Sequence, residues 1–415
     1  MSNHALFSVI GIEIEYMLVD KETLAIQPKS DLVLTRLAGE LVNEVALGDI
    51  SASNELVLHV IELKNNGPKP AQGALAAAFQ KTILQLQPIL DEFHLRLLPT
   101  GAHPWMNPAL ETKRWPHGNR SIYQQYDAIF DCKGHGWSNL QSMHVNLPFA
   151  NDDEFCQLHN LIRLLLPLLP ALAASSPFLD GKKTGFLDSR LDFYGKNQQL
   201  IPSICGEIIP PFIRSEEQYH HDVLEPMYAE ISPFDPEGVL QYEWLNSRGA
   251  IPKFGQMAVE IRILDPQECV HADIAIAKLI HAVLKRWHES GITQHLEQPI
   301  ETATLKAIYE RSLKTGLAVV VDDEALLTQW HLPKHHPQTL TQIWSWLIEQ
   351  VSSELDHPSQ HALEHILRHG NLSERILRAC EDNKSKKHLI QVYRTMGDCL
   401  IKDQQFDPKN PLYLS

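Results

Sequence analysis

The sequence predicts an α+β protein: an antiparallel sheet flanked by helices, with a helical extension at the C-terminal end. Three observations carry this. Segments 9–16, 60–64, 143–149 and 258–264 each alternate a polar face with a branched apolar face, the two-residue period of a half-buried strand. Each polar face carries ligand-type residues, so a single antiparallel sheet can gather all of them around one cleft. From about residue 300 onward the apolar positions fall at helical spacing, and no paired acids lie on strands.

Taken in order, Gly11-Ile12-Glu13-Ile14-Glu15-Tyr16 places Glu13 and Glu15 on one face and Ile12, Ile14 and Tyr16 on the other. Adjacent carboxylates repel, and burying either one unpaired is costly. A hard divalent ion with oxygen ligands is the simplest partner; the plainer alternative is a solvated strand face. A helix is expected over 30–46, a turn over 48–54, and a strand over 60–64 with Glu62 on the face of Lys64. A long helix is expected over 72–94, kinked or broken at Pro88, then a short strand over 95–98 and a loop holding His103. A helix over 121–129 precedes the strand that puts His144 and Asn146 on one face. Residues 153–174 read as a second long helix interrupted by Pro167 and Pro170, and 177–197 as a polar loop region. In 258–264, Glu260 and Arg262 share a face; Pro266 ends the strand, and 272–287 is helical. The tail is read as helices over 301–314, 340–355, 360–367 and 373–396. The expected division is a catalytic domain over 1–292 and a helical extension over 293–415 packed on it.

The chain has 415 residues, 44% hydrophobic, with a net charge of −15. This is enough for a sizeable core, and the acidity argues against nucleic-acid or anionic-membrane binding. The N-terminus lacks the basic region and apolar run of a signal peptide, and the most apolar stretch, 161–174, is short for a bilayer span. Six widely spaced cysteines without a Cys-x-x-Cys read as free thiols in a reducing compartment, hence a cytoplasmic expectation. The pairs His220-His221 and His335-His336 are expected in surface loops. No Walker loop, Gly-x-Gly-x-x-Gly or Gly-x-Ser-x-Gly is present, which excludes nucleotide binding of the P-loop or Rossmann kind and disfavours an α/β-hydrolase.

The ordered set Gly11-Ile12-Glu13-Ile14-Glu15, Val60-Ile61-Glu62-Leu63-Lys64, Gly101-Ala102-His103-Pro104, Met143-His144-Val145-Asn146-Leu147, Ala173-Ala174-Ser175-Ser176-Pro177-Phe178, Ser189-Arg190 and Val259-Glu260-Ile261-Arg262 resembles the glutamate–cysteine ligase family, in particular its bacterial carboxylate–amine ligase branch. The resemblance covers roughly residues 9–290. It implies a glutamine-synthetase-like domain with a curved antiparallel sheet, and an ATP-dependent ligase that activates a γ-carboxylate as an acyl phosphate before an amine attacks. It further implies ATP with Mg2+ or Mn2+ as cofactors and amino acids as small-molecule substrates, glutamate and cysteine being the first expected. Glu13, His144 and Glu260 resemble ligands of the ion on the outer ATP phosphates; Glu15, Glu62 and Glu55 resemble those of the ion nearer the substrate. Arg262 resembles the arginine that neutralises the transferring phosphoryl group, and Arg190 and Arg248 occupy stretches like those of phosphate- or substrate-binding arginines. His103 and Asn146 are cleft candidates. Ser142-Met143-His144 stands where the branch often has His-Val-His. Two other functions stay open on the residues alone: a metal-dependent hydrolase of γ-glutamyl amides, and a catalytically silent ligand-binding relative. Homo-oligomer formation is left open as well.

Overall fold

The computed structural model describes residues 4–118, 120–292, 299–333, 336–381 and 385–409. Eight strands build the main sheet: β1 (Gly11–Asp20), β2 (Glu44–Ala46), β3 (Ile50–Asn54), β4 (Val60–Asn65), β5 (Leu95–Leu98), β6 (Met143–Pro148), β7 (Ala250–Lys253) and β8 (Ala258–Leu264). Their order is β2–β3–β4–β1–β6–β8–β7, with β5 beside the second half of β1, and every pairing is antiparallel. The four ligand-bearing strands are thus β4, β1, β6 and β8, adjacent in space although far apart in sequence.

The register decides what meets on the polar face. Glu13 lies opposite Lys64 on one side and His144 on the other. Glu15 lies opposite Glu62, and Glu260 opposite Asn146. Directly opposed residues share a face and are near enough to interact. Past Ile261 the register slips: Ile261 pairs Val145 but Leu264 pairs Met143, so Arg262 and Ile263 together face His144. Such a bulge bends the strand and re-aims a side chain. The other face is apolar: Ile12, Ile14, Tyr16, Val145, Val259 and Ile261 are all buried, under the helices Leu75–Glu92, Asp152–Leu165 and Val270–Glu289.

Several expected elements are corrected. The helix expected over 30–46 ends at Ala38, with Gly39 in the left-handed region (φ 82°) closing it. Residues 44–46 and the supposed turn 48–54 are instead β2 and β3. Pro88 lies inside an unbroken helix, Leu75–Glu92. The prolines at 167 and 170 do alter the second long helix, which passes through a 3-10 turn, Leu166–Leu168. The run Asp152–Ala173 is long and apolar enough to cross a membrane, but 89% of its most apolar window is buried in the fold. His220 and His221 sit in a helical turn rather than a loop; of the second pair, His335 lies outside the described residues. In the tail, the single helix expected over 373–396 is two, Leu372–Ala379 and Lys386–Lys402, and residues 382–384 are not described.

The tail helices form a further layer. Leu340–Val351 and His357–His369 pack on Val270–Glu289, and Lys386–Lys402 packs on β5. Trp330 and Trp344 donate their indole N–H groups to the carbonyls of Leu164 (3.3 Å) and Leu168 (3.1 Å), at the proline-interrupted turn.

Candidate active site

The polar faces of β1, β4, β6 and β8 converge as a strip of charge. One ligand atom each from Glu13, His144 and Glu260 lie within 4.8 Å of one another, and so do those of Glu15, Glu62 and His144. These two groups share His144 and run along alternate positions of β1. Oxygen-rich donor sets with one imidazole suit Mg2+ or Mn2+.

Hydrogen bonds fix each member. Glu13 accepts from Asn146 Nδ2 (3.1 Å) and lies 3.3 Å from His144 Nδ1. Glu15 accepts from the backbone N–H (2.9 Å) and hydroxyl (3.0 Å) of Ser142, whose hydroxyl also reaches His144 Nε2 at 2.9 Å. Glu62 accepts from the Ser53 hydroxyl (2.8 Å) and lies 3.3 Å from Lys64. Glu260 is salt-bridged to Lys253 and lies 3.4 Å from Arg262 Nε. Glu55 follows the end of β3 and enters from the β3–β4 connection; it belongs to neither three-ligand group.

Electrostatics separate the acids. Burial would raise the Glu13 carboxyl, but the His144 hydrogen bond and the Lys253 charge outweigh it and hold it well below the usual range. Glu15, Glu55 and Glu62 are each pushed up to about 8, by burial first and then by neighbouring carboxylates: Glu62 on Glu15, Glu15 and Glu13 on Glu55, and Glu13 and Glu55 on Glu62. Three buried carboxyls titrating near neutrality lack cationic charge, which a divalent ion on the Glu15–Glu62 group would supply.

Two cavities flank the strip. One, of about 400 Å³, reaches Glu15, Glu55, His144, Arg190 and Arg262. The other, of about 440 Å³, is bordered by Glu13, Lys64 and Asn146 and by apolar groups including Ile12, Pro148 and Met257.

Arg190 reaches the first cavity with its Nε bonded to Asp265 and its terminal nitrogens 3.4–3.5 Å from the Arg262 carbonyl. Asp265 also accepts from the Ser175 N–H (2.8 Å) and the Ser176 hydroxyl (2.8 Å). A Cβ at Gly101 would stand 2.3 Å from the Asp265 carboxyl carbon, so only glycine permits this approach. The Gly101 and Ser175-Ser176 motifs therefore serve the carboxylate that holds Arg190.

Two expected cleft residues lie elsewhere. His103 is fully buried, its Nε2 2.8 Å from the Leu24 carbonyl, and burial lowers its pKa to about 4; it lines neither cavity. Arg248 points away and donates to Asn246 Oδ1 (3.0 Å) and the Ile204 carbonyl (3.4 Å), lining neither cavity. Sequence reasoning missed Lys253, Ser142, Ser53 and Asp265. Ser53 and Asp265 act through cross-strand register or a loop contact and leave no local pattern, whereas the short connection through Gly255 signals Lys253 and the departure from His-Val-His marks Ser142.

A protein of Archaeoglobus fulgidus without an assigned activity is 38% identical over 277 residues, 67% of this chain and 74% of its own. A protein of Herpetosiphon aurantiacus, provisionally named glutamate–cysteine ligase 2, is 22% identical across 95% of this chain and 94% of its own. The crystal structure of a glutamate–cysteine ligase from Francisella tularensis in complex with AMP superposes with a TM-score of 0.60 at 13% identity, covering 100% of this chain and 92% of that one, a likeness of fold. The model of glutamate–cysteine ligase family 2 matches residues 9–395, and the chain belongs to that family.

Proposed function

We propose that the protein is an ATP-dependent carboxylate–amine ligase that joins a glutamate-type γ-carboxylate to an amine through an acyl phosphate. The observation that carries this reading is the placement of two adjoining three-ligand groups on one strand face between two cavities. Family membership supports the ligase class, and the AMP bound by the Francisella tularensis enzyme supports the choice of nucleotide.

In this reading the cavity beside Glu13 takes the nucleotide: Ile12, Pro148 and Met257 offer apolar surface to a base. Glu13, His144 and Glu260 would hold one divalent ion, and the Glu15 and Glu62 carboxylates would contribute to a second. Such ions would supply neutralisation of phosphate charge. The cavity beside Glu15 takes the carboxylate donor and the amine. An oxygen of the donor carboxylate attacks the terminal phosphorus and ADP leaves. The amine nitrogen then attacks the acyl carbon, the carbon–oxygen bond breaks with its electron pair going to phosphate, and the amine loses a proton. Arg262, aimed by the bulge of β8, faces the transferred phosphoryl group, and Arg190 is held beside it by Asp265. Glu55, in the cavity wall and outside both ligand groups, is the carboxylate we assign to proton acceptance.

The test is incubation with ATP, Mg2+, glutamate and a panel of amines, following ADP and the condensed product by mass spectrometry. Amine-dependent ADP release with a γ-glutamyl amide is expected. Glu13→Gln should weaken Mg–nucleotide binding while the thermal transition persists. Turnover of a γ-glutamyl amide without nucleotide, or no product with any amine, would overturn the reading.

A further inference from the structure

The cavity beside Glu15 also bears on which amine it accepts, an inference that rests on the ligase reading. Away from the charged sheet face, its wall is built from Leu56, Ile122, Tyr123, Tyr126, Trp137 and Trp244. These come from separate segments yet form one aromatic surface: the Tyr126 ring centroid is 5.1 Å from that of Trp137 and 6.0 Å from that of Trp244. Phe130 stacks behind Trp137 (5.6 Å) and Tyr242 on Trp244 (5.7 Å), so the rings are braced. Tyr123 has its hydroxyl engaged by Asn54 Nδ2 at 3.3 Å. A preformed wall of this kind recognises an apolar or aromatic body by contact area and ring geometry.

Charge points the same way. Among the described residues lining this cavity, the permanent cations are Arg190 and Arg262. Both stand at the sheet end, where the donor's two carboxylates and the phosphoryl group must sit and take up their charge, and Arg190 is already paired with Asp265. An acceptor bearing its own carboxylate would place it against the aromatic wall without a counter-ion, close to Glu15 and Glu55. Burying an unpaired carboxylate is strongly disfavoured. A primary amine with an apolar body meets no such conflict: its ammonium is drawn to the acid end, and its body lies along the rings.

We propose that the acceptor is an aryl- or alkylamine lacking a carboxylate, rather than an amino acid such as cysteine, with its apolar body laid on the Tyr126–Trp137–Trp244 surface.

The experiment uses matched acceptors that differ only in the carboxylate: phenethylamine and phenylalanine, tyramine and tyrosine, cysteamine and cysteine, each with ATP, Mg2+ and glutamate. In every pair the amine should give at least about tenfold higher kcat/KM, since an uncompensated carboxylate costs more than the ~1.4 kcal/mol that tenfold represents. Phenethylamine and tyramine should also exceed cysteamine. Trp244→Ala should raise the KM for phenethylamine several-fold and leave that for ATP unchanged. Ile122→Arg, which puts a cation into the wall, should narrow the gap between phenylalanine and phenethylamine. Amino acids turned over as well as or better than their decarboxylated partners would overturn this inference while leaving the ligase reading intact. No amine-dependent ADP release with any acceptor would overturn both.

Discussion

Arg262 stands where opposing charges are most concentrated. Burial disfavours its charge, but the Glu260 carboxylate beside it favours the charged form, and the guanidinium stays protonated. Its terminal nitrogen donates to the Asn246 carbonyl at 3.2 Å, which fixes the head group. A fixed cation facing a phosphoryl group stabilises charge that spreads in the transition state more than charge already present in bound ATP. Arg262→Ala should therefore lower kcat by roughly 10²–10³ while Mg–ATP affinity falls only a few-fold; steady-state kinetics beside equilibrium nucleotide binding would separate the two. Equal losses would make Arg262 a ground-state contact. At this scale the sequence was informative wherever chemistry follows a period of two. Glu13 and Glu15 share a face because alternate strand residues must, and Arg262 stays beside Glu260 (3.4 Å) even though the bulge interrupts the alternation after Ile261. His103 misled because a histidine beside Gly101 in a loop looks exposed, whereas its ring satisfies the buried Leu24 carbonyl. Lys253 was missed although its signal is local: the short connection through Gly255 makes β7 and β8 a hairpin, which brings Lys253 to Glu260.

The hairpin of β3 and β4 shows how an element can be misread and still matter. Ile50-Ser51-Ala52-Ser53-Asn54 is poor in β-branched and aromatic residues, so local propensity suggests a turn. Pairing with β4 makes it a fully buried strand, a case of tertiary context overriding preference. Its consequence for the site is direct, since Ser53 bonds Glu62 and the hairpin delivers Glu55. This element also carries a pH signature. Glu15, Glu55 and Glu62 titrate near 8 in the fold against 4.5 for an ordinary glutamate. Between those values the folded chain binds more protons than the unfolded one, so their contribution to stability is lost as pH rises. Buried His59, His103 and His159, lowered to about 4, 4 and 3, act oppositely, but above the ordinary histidine value of 6.5 they are neutral in both states. From pH 6.5 to 8 the metal-free protein should thus lose stability, by about 1.4 kcal/mol per pH unit for each retained proton. Saturating Mg2+ should flatten the slope, because bound cations favour the ionised carboxylates. Thermal melts across that window, with and without Mg2+, check this; a slope indifferent to Mg2+ would count against an ion among these acids.

Across the whole molecule, the tail is tied to the segments that position Arg190. In helix Leu372–Ala379 the Ser373 N–H donates to the Ala174 carbonyl (3.0 Å), and its N-cap Asn371 donates from Nδ2 to the Ala171 carbonyl (3.1 Å). Arg375 is fully buried and salt-bridged to Glu268, also fully buried, and donates to the Phe406 carbonyl at 2.8 Å, while Glu268 accepts the Phe406 N–H at 2.9 Å. Glu268 lies three residues beyond Asp265, in the short connection from β8 to Val270–Glu289. Residues 305–366 also contribute Leu305, Trp344 and Ile366 to the hydrophobic cluster that holds Ile12 and Val145. The division we propose near 292 therefore separates the ligand-bearing strands and the three helices beneath them from a tail layer that packs on those helices. Removing one partner of a buried ion pair leaves the other charge uncompensated, which typically costs about 3–5 kcal/mol. Arg375→Ala should lose about that much in denaturant unfolding, and its kcat should fall as the connection holding Asp265 loosens. Arg375→Met with Glu268→Gln removes the stranded charge while keeping an acceptor for Phe406 N–H, so it should recover most of the stability and, with it, turnover. Stability restored without turnover would mean that the pair orients Asp265 and Arg190 through its charge. A single variant losing less than about 1 kcal/mol, within the range of an exposed pair, would show that the tail does not anchor the connection.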